Sequence, residues 1–224
     1  MIESFLEYLD TNSNLKILAT NHDNKKAIVH RWFPFLVGFS NMLVKETISH
    51  FNKDECECTV FDPFMGSGTT AIACKELGIN VVGNETNKFL YDVCQAKINS
   101  GRQVKENELL DASLDVLKKA CRNWKSADIS SEHEILGKCF YQNNLRKLVA
   151  LRNAILESDF DETVKGFCFI GLTRSLNKAA RVGLNIPYVS WKNERIPKNA
   201  FSQFEENVSL IFRDIKAFSK SVYL

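Results

Sequence analysis

The 224-residue sequence has neither a large net charge nor a long apolar run, and its number of cysteines is odd. Its net charge of +2 gives no global field that marks a nucleic-acid binder, so any basic surface must be local. It has no run of about 18 apolar residues and no signal-peptide pattern, which predicts a cytoplasmic protein that neither spans a membrane nor is secreted. Its 45% hydrophobic and 25% charged residues are ordinary for a globular protein.

The 7 cysteines do not suit a complete disulfide framework, and most of them lie on predicted apolar faces. We therefore expect reduced thiols, as in the cytosol. The segment Cys56-Glu57-Cys58, with His50 as its one neighbouring partner, suggests a metal site. An alternating strand is the better interpretation, and no metal is predicted.

Two phosphate-binding patterns are also absent. The segment that contains Gly66 and Gly68 has Ala71 where the pyrophosphate fingerprint has its third glycine. No Lys-Ser/Thr pair follows the second glycine, as it does in a P-loop. A bare pair of glycines is a weak signal, so the residues around it must carry the interpretation.

An apolar stretch, Thr59 to Phe61, predicts a buried strand that runs into an acid and then into this glycine loop. Thr69 and Thr70 are predicted to cap and begin a helix that ends at Leu77. A second strand, Asn80 to Gly83, is followed by Glu85. Glycines allow close backbone approach to a ligand, and an acid at the tip of the second strand suits a ribose hydroxyl pair. The pattern predicts a nucleoside site.

The segment Asp62-Pro63-Phe64-Met65-Gly66-Ser67-Gly68-Thr69-Thr70 resembles the S-adenosylmethionine loop of DNA amino-methyltransferases that modify adenine N6 or cytosine N4. A glycine turn in some other α/β protein is the alternative. The resemblance implies S-adenosyl-L-methionine as cofactor, double-stranded DNA as substrate and a place among restriction–modification enzymes. One departure is Lys88, which replaces a proline of the family. RNA or small-molecule methylation is a lesser alternative.

The family often has a His-, Pro- and Phe-bearing segment before the loop, folded over the methionine end of the cofactor. Residues 30–40 are similar to it, and an aromatic loop packed under the sheet is the alternative. The resemblance therefore implies these cofactor-binding residues: His30, Phe35, Ser40, Asp62, Pro63, Phe64, Gly66, Ser67, Gly68, Thr69, Thr70 and Glu85. Ser40 is also the predicted N-cap of a helix over 41–51.

The fold class implied is α/β, a Rossmann-like methyltransferase sheet, incomplete and with few strands, followed by a large helical region. We expect a cofactor-binding region over residues 1–100 and a mostly helical region over 101–224. Apolar periodicity predicts the following helices: 2–9, 88–99, 106–125, 132–156, 161–180 and 201–218. After residue 85 few strand-like runs remain, so the first strand is expected to have a bare edge.

Amino-methyltransferases of this kind need a loop of Asp, Asn or Ser, then Pro or Ile, then Pro and an aromatic, which orients the amino group and stacks on the flipped base. The segment Asn185-Ile186-Pro187-Tyr188 fits this pattern, which gives Asn185, Pro187 and Tyr188 as catalytic candidates. The favoured alternative is that a second protein chain supplies the loop and the missing strands, because Arg195-Ile196-Pro197-Lys198 resembles the lead-in to that loop.

Basic side chains lie among aromatics late in the sequence, which suits phosphate contacts and base stacking. The DNA-contact candidates are Arg174, Lys178, Arg181, Trp191, Arg195 and Lys198. A solvated helix face is the alternative. A catalytically silent subunit that grips DNA or a partner is a further hypothesis, against which the intact loop and Glu85 argue.

Overall fold

The computed structural model describes residues 20–33, 38–52, 57–101, 108–185, 188–191 and 194–222. The chain is mixed α/β and mostly helical, with a small parallel sheet. It divides into a first unit, Met1–Arg102 with Asp214–Leu224, and a second unit, Gln103–Arg213. None of the helices in the described ranges combines the length and the apolar character needed to cross a membrane.

The first unit is built on a β-α-β motif. Its elements in chain order are α1 (Asn41–Phe51), β1 (Thr59–Asp62), α2 (Thr69–Glu76), β2 (Asn80–Gly83) and α3 (Lys88–Ile98). Short 3-10 turns lie at Asp23–Lys25, His30–Trp32 and Asn99–Gly101. The two strands are parallel, with Thr59 opposite Asn80 and Asp62 opposite Gly83. Both strands therefore end at the same edge, which brings the glycine loop next to the residues that follow β2.

The β1–β2 pair is covered on one face only. A buried cluster of Met65, Ala71 and Cys94 packs under it, with Val81 half-buried against the cluster. On the other face the sequence predicts a buried strand, but Phe61 is 66% exposed. That prediction is wrong for the chain as described, because Phe61 and the Val82 opposite it lie on a face that the described residues leave largely uncovered.

The start of α2 also differs from the sequence prediction. The N-cap is Gly68, with φ of 88°, and no side chain caps the helix. Thr69 is the first helical residue and Thr70 is buried beside it. The prediction for α1 is confirmed, because the hydroxyl of Ser40 accepts from the N–H of Met42 at 3.1 Å.

The second unit contains α4 (Glu108–Asn123), a 3-10 turn at Trp124–Ser126, α5 (Glu134–Cys139), α6 (Gln142–Leu156), α7 (Glu162–Ala179), the antiparallel pair β3 (Gly183–Asn185) and β4 (Tyr188–Ser190), and the first part of α8 (Ala200–Val222). Its core consists of apolar side chains from the long helices: Leu109, Val116, Leu151, Ile155, Phe167, Ile170, Phe204 and Val208. From Asp214 onward α8 belongs to the first unit.

One predicted helix is wrong, because the structure breaks the helix predicted over 132–156. Phe140 is extended, with φ of −126° and ψ of 145°, so α5 ends at Cys139. In a continuous helix the carbonyl of Cys139 would accept from the N–H four residues later. Here it accepts from the N–H of Arg181, at 2.9 Å. The other predicted helices in the described ranges agree to within a few residues at their ends, and the one over 2–9 lies outside those ranges.

Candidate functional site

The glycine loop is fixed by backbone contacts to both strands. The Asp62 carboxylate accepts from the N–H of Phe64 at 2.9 Å, which turns the chain sharply after β1. The N–H of Met65 donates to the carbonyl of Asn84 at 3.0 Å, and the N–H of Asn84 donates to that of Asp62 at 3.0 Å. The loop and the segment after β2 therefore form one hydrogen-bonded unit. Phe64 extends from it with 87% of its surface exposed.

Glu85 is the central side chain of this site. One of its carboxylate oxygens accepts from the N–H of Gly66 at 2.8 Å, and the other accepts from the N–H of Asn87 at 2.7 Å. Asn87 in turn caps α3 by accepting from the N–H groups of Phe89 and Leu90. The acid predicted from the sequence is thus brought onto the glycine loop. A carboxylate held by two amides lies ready to accept from hydroxyl donors through its remaining lone pairs.

Two glycines of the site lie against other side chains, and the positive φ of Gly68 also favours glycine at that position. A methyl group at Gly68 would lie 2.8 Å from Cys94 Sγ, and its positive φ adds strain to any side chain there. A methyl group at Gly83 would lie 2.0 Å from Met65 Cε. Burial raises the pKa of the Cys94 thiol to about 11, so this sulfur is a packing group rather than a nucleophile at neutral pH.

His30 lies in the interior of the first unit and is only 3% exposed. Its carbonyl accepts from the buried Lys97 ammonium at 3.5 Å. Within the described residues neither ring nitrogen of His30 has a hydrogen-bond partner. Burial, and then the charges of Lys97 and Lys45, lower the pKa of the imidazole to about 3. His30 therefore acts as a neutral buried ring at physiological pH.

This depressed pKa makes the first unit sensitive to acid. The unfolded chain binds the proton with an ordinary pKa of about 6.5, so the unfolded state gains protons first as pH falls. Stability is full above pH 6.5 and is expected to fall by up to about 1.4 kcal/mol per pH unit towards pH 3. Urea unfolding at several pH values should show this slope, and His30→Phe should reduce it. An identical slope in His30→Phe contradicts the assignment.

A groove of about 510 Å³ lies between α1 and β1. Its walls are mostly apolar and come from Phe39, Leu43, Val44, Thr47, Ile48, Phe51, Asn52, Cys58, Thr59, Val60, Phe61, Asp62 and Thr70. No residue of β2 lines it, so it follows the side of β1 away from its partner strand. The groove extends from Asp62 and Thr70, both predicted cofactor residues, to Phe39 in the segment of residues 30–40. Phe35 lies outside the described residues.

In the second unit, four of the predicted DNA-contact residues lie on two chain segments that run antiparallel. The N–H of Arg195 donates to the carbonyl of Arg181 at 2.6 Å, and that of Lys198 donates to the carbonyl of Lys178 at 2.8 Å. We call Lys178, Arg181, Arg195 and Lys198 the basic ladder. Arg181 lies over the ring of Tyr141, with 5.3 Å from guanidinium carbon to ring centroid.

The buried amide of Asn144 anchors the basic ladder. Its Nδ2 donates to the carbonyls of Ala179 and Lys198, each at 2.9 Å, and its Oδ1 accepts from the N–H of Ala200 at 3.3 Å. One side chain therefore ties α6, the end of α7 and the start of α8 together. Sequence reasoning missed this residue, since an asparagine inside a helix gives no distinctive local signal.

The other predicted residues of this unit have different surroundings. Arg174 donates to the Asn207 side chain at 3.2 Å, and Trp191 is 51% exposed. Asn185 and Tyr188 face each other across β3 and β4, which pair only with each other within the described ranges. Pro187 lies outside the described residues. The catalytic prediction for this segment stays a prediction.

Sequence reasoning also missed Asp214, which is 2% exposed. Its carboxylate accepts from the Arg31 guanidinium, with the Nε contact at 2.8 Å, and from the Trp32 indole at 2.9 Å. The acid lies within the apolar stripe of α8, between Ile211 and Ile215. A charged residue inside an apolar stripe is the signal that the sequence offered.

Comparison with known proteins agrees with the family resemblance of the glycine loop. Residues 11–97 match the family model described as DNA methylase. This part of the chain is similar to the DNA methylase family. We call residues 11–97 the methylase segment. It includes the aromatic segment (residues 30–40), β1, the glycine loop, β2 and Glu85, and it ends inside α3.

Curated relatives are Type II methyltransferases. Part of the chain is similar to M.BsoBI of Geobacillus stearothermophilus, with 38% identity over 33% of this chain and 14% of that protein. M.MjaII of Methanocaldococcus jannaschii is 35% identical over 41% of this chain and 16% of its own length. M.AvaI of Nostoc is 31% identical over 39% of this chain and 18% of its own length. The chain therefore matches less than a fifth of each relative. No solved structure matches it significantly.

Proposed function

We propose that this chain is the cofactor-binding part of an S-adenosylmethionine-dependent methyltransferase that acts on an exocyclic amino group of adenine or cytosine in DNA. The observation that carries the proposal is the meeting of Glu85 with Gly66 at 2.8 Å, which unites the acid after β2 with the glycine loop after β1. The DNA methylase match over the same residues supports it.

The donor set of the loop suits this cofactor. Glu85 supplies carboxylate oxygens for a ribose hydroxyl pair, and the first N–H groups of α2 point towards the loop from the positive end of the helix. Asp62 supplies a carboxylate at the carboxyl end of β1. When bound, the cofactor supplies the methyl group. The chain's own residues hold the nucleoside and orient it, and no general base is required of them.

The catalytic loop is proposed to come from a second polypeptide, which completes the sheet. Within the described residues β1 pairs on one side only, and Phe61 and Val82 on the open face are 66% and 56% exposed. Unpaired strand edges and exposed apolar faces favour addition of another strand. The groove between α1 and β1 gives that segment an apolar surface to cover.

The basic ladder is proposed as the contact to DNA phosphates. It places two guanidinium groups and two ammonium groups on adjoining backbone segments, and Asn177 accepts from the Arg195 guanidinium at 3.3 Å. Arginine and lysine contacts to phosphates position a protein on DNA without reading its sequence. The base that is modified and the recognition sequence therefore depend on other residues.

A methyl-transfer assay tests the proposal. The purified chain, unmethylated duplex DNA and radiolabelled S-adenosylmethionine are combined with and without the candidate partner polypeptide, which carries an Asp/Ser-Pro-Pro-aromatic loop. We expect cofactor binding by the chain alone and transfer only with the partner. Asn185→Ala is expected to leave that transfer unchanged. Transfer by the chain alone that Asn185→Ala abolishes would overturn the proposed partner and assign catalysis to Asn185-Ile186-Pro187-Tyr188.

A further inference from the structure

The extended segment before α8 presents one apolar side chain fully to solvent. Ile196 is 99% exposed, whereas the other exposed large apolar side chains among the described residues of the second unit reach 58% at most, at Leu156. Single exposed apolar residues are common on protein surfaces and need no explanation by themselves. Ile196 differs because of what surrounds it, since it lies directly between two members of the basic ladder.

The backbone on both sides of Ile196 is held in place. Arg195 donates its N–H to the carbonyl of Arg181 at 2.6 Å, and Lys198 donates its N–H to the carbonyl of Lys178 at 2.8 Å. Asn144 donates to the carbonyl of Lys198 at 2.9 Å. The next residue, Pro197, has a fixed φ. Ile196 is therefore an exposed apolar group on a backbone segment that is hydrogen-bonded on both sides of it.

The charge around this group indicates its partner. The basic ladder provides four cations, and the acid next to it in sequence, Glu194, accepts from the Tyr141 hydroxyl at 3.0 Å and lies 3.9 Å from Arg181. An apolar side chain flanked by phosphate-binding cations matches the wedges that proteins insert between base steps of a duplex. Removing a base from the stack for chemistry requires the same kind of local unstacking.

We infer that Ile196 is an unstacking wedge that enters the base stack of duplex DNA, an inference that rests on the proposed DNA substrate. The basic ladder holds the flanking phosphates. The wedge and the ladder then have separable effects. Loss of a ladder cation removes phosphate contacts and reduces affinity at every sequence. Loss of the Ile196 side chain leaves the phosphate contacts intact and removes the distortion of the stack.

The test uses the full 224-residue chain and a duplex that contains 2-aminopurine at several positions, whose fluorescence rises when it is unstacked. We expect a rise with the unaltered chain at low salt, and loss of most of that rise in Ile196→Ala with affinity within about threefold. Leu156→Ala, a matched exposed apolar residue, should behave like the unaltered chain. Arg181→Ala should weaken binding and lower the salt slope by about one.

Each outcome is decisive. If the unaltered chain binds DNA without any fluorescence rise, or if Ile196→Ala keeps the full rise, the wedge is wrong while the proposed DNA contact stands. If the chain and all variants bind no duplex even at low salt, the proposed DNA contact fails, and the wedge fails with it. If Ile196→Ala keeps the full rise but loses association with another protein, the side chain is part of a protein interface instead.

Discussion

Replacing Glu85 with alanine is expected to weaken the binding of S-adenosylmethionine by about tenfold to a hundredfold, the usual effect of losing a hydrogen bond to a charged group. Two effects add here. The variant loses the acceptor for the ribose hydroxyls, and it releases the N–H groups of Gly66 and Asn87 that the carboxylate now holds. The glycine loop would then have to be ordered by the cofactor itself, which lowers affinity further.

Isothermal titration with S-adenosylmethionine measures the affinity, and hydrogen exchange at the Gly66 amide reports on the loop. Glu85→Gln separates the two roles, because an amide oxygen can still accept one backbone hydrogen bond. We expect it to exchange more slowly at Gly66 than Glu85→Ala. Asp92→Ala removes an exposed acid that pairs with Lys88 and is the control for charge alone. Unchanged affinity in Glu85→Ala would show that this acid does not contact the cofactor.

Replacing Asp214 with alanine is expected to lower the free energy of unfolding of the first unit by about 3 kcal/mol, as when one partner of a buried ion pair is removed. The carboxylate is 2% exposed and accepts from both Arg31 and the Trp32 indole. Trp32 is itself fully buried. The change removes this shared acceptor and leaves a cavity beside a large aromatic ring, and both effects oppose folding.

Urea unfolding followed by tryptophan fluorescence measures this loss. Asp92→Ala, an exposed acid of the same unit, should change stability by less than about 0.5 kcal/mol. Asp214→Asn keeps one acceptor oxygen for the Trp32 indole and is expected to fall between the two. A loss below about 1 kcal/mol in Asp214→Ala would show that the carboxylate is not a main attachment of the last part of α8.

Much of the first unit follows from local sequence. The apolar strands, the acid after each strand and the glycines between them are separated by few residues, so the β-α-β geometry brings them together almost automatically. The N-cap of α1 at Ser40 is equally local. The start of α2 is a local feature that the threonine pair obscured, because Gly68 can adopt the positive φ that Thr69 cannot adopt without strain.

Features that depend on residues distant in the sequence could not be predicted from local patterns. The apolar periodicity runs through residues 132–156 without interruption, yet the helix ends at Cys139, whose carbonyl accepts from the N–H of Arg181. The sequence predicts a buried strand over Thr59 to Phe61 with one bare edge; among the described residues only β2 pairs with it, and Phe61 is 66% exposed. Exposure of a strand depends on what pairs with it, which its own residues do not encode.

The sequence by itself determined the glycine loop, Glu85 and hence the similarity of the first part of the chain to DNA methylases, because that chemistry needs particular residues at short spacing. The tertiary structure decided how they are held. It placed the Glu85 carboxylate on Gly66, the buried carboxylate of Asp214 between Arg31 and Trp32, and the basic ladder on Asn144. Each of these contacts joins residues that the chain must fold to bring together, so no local propensity could reveal it.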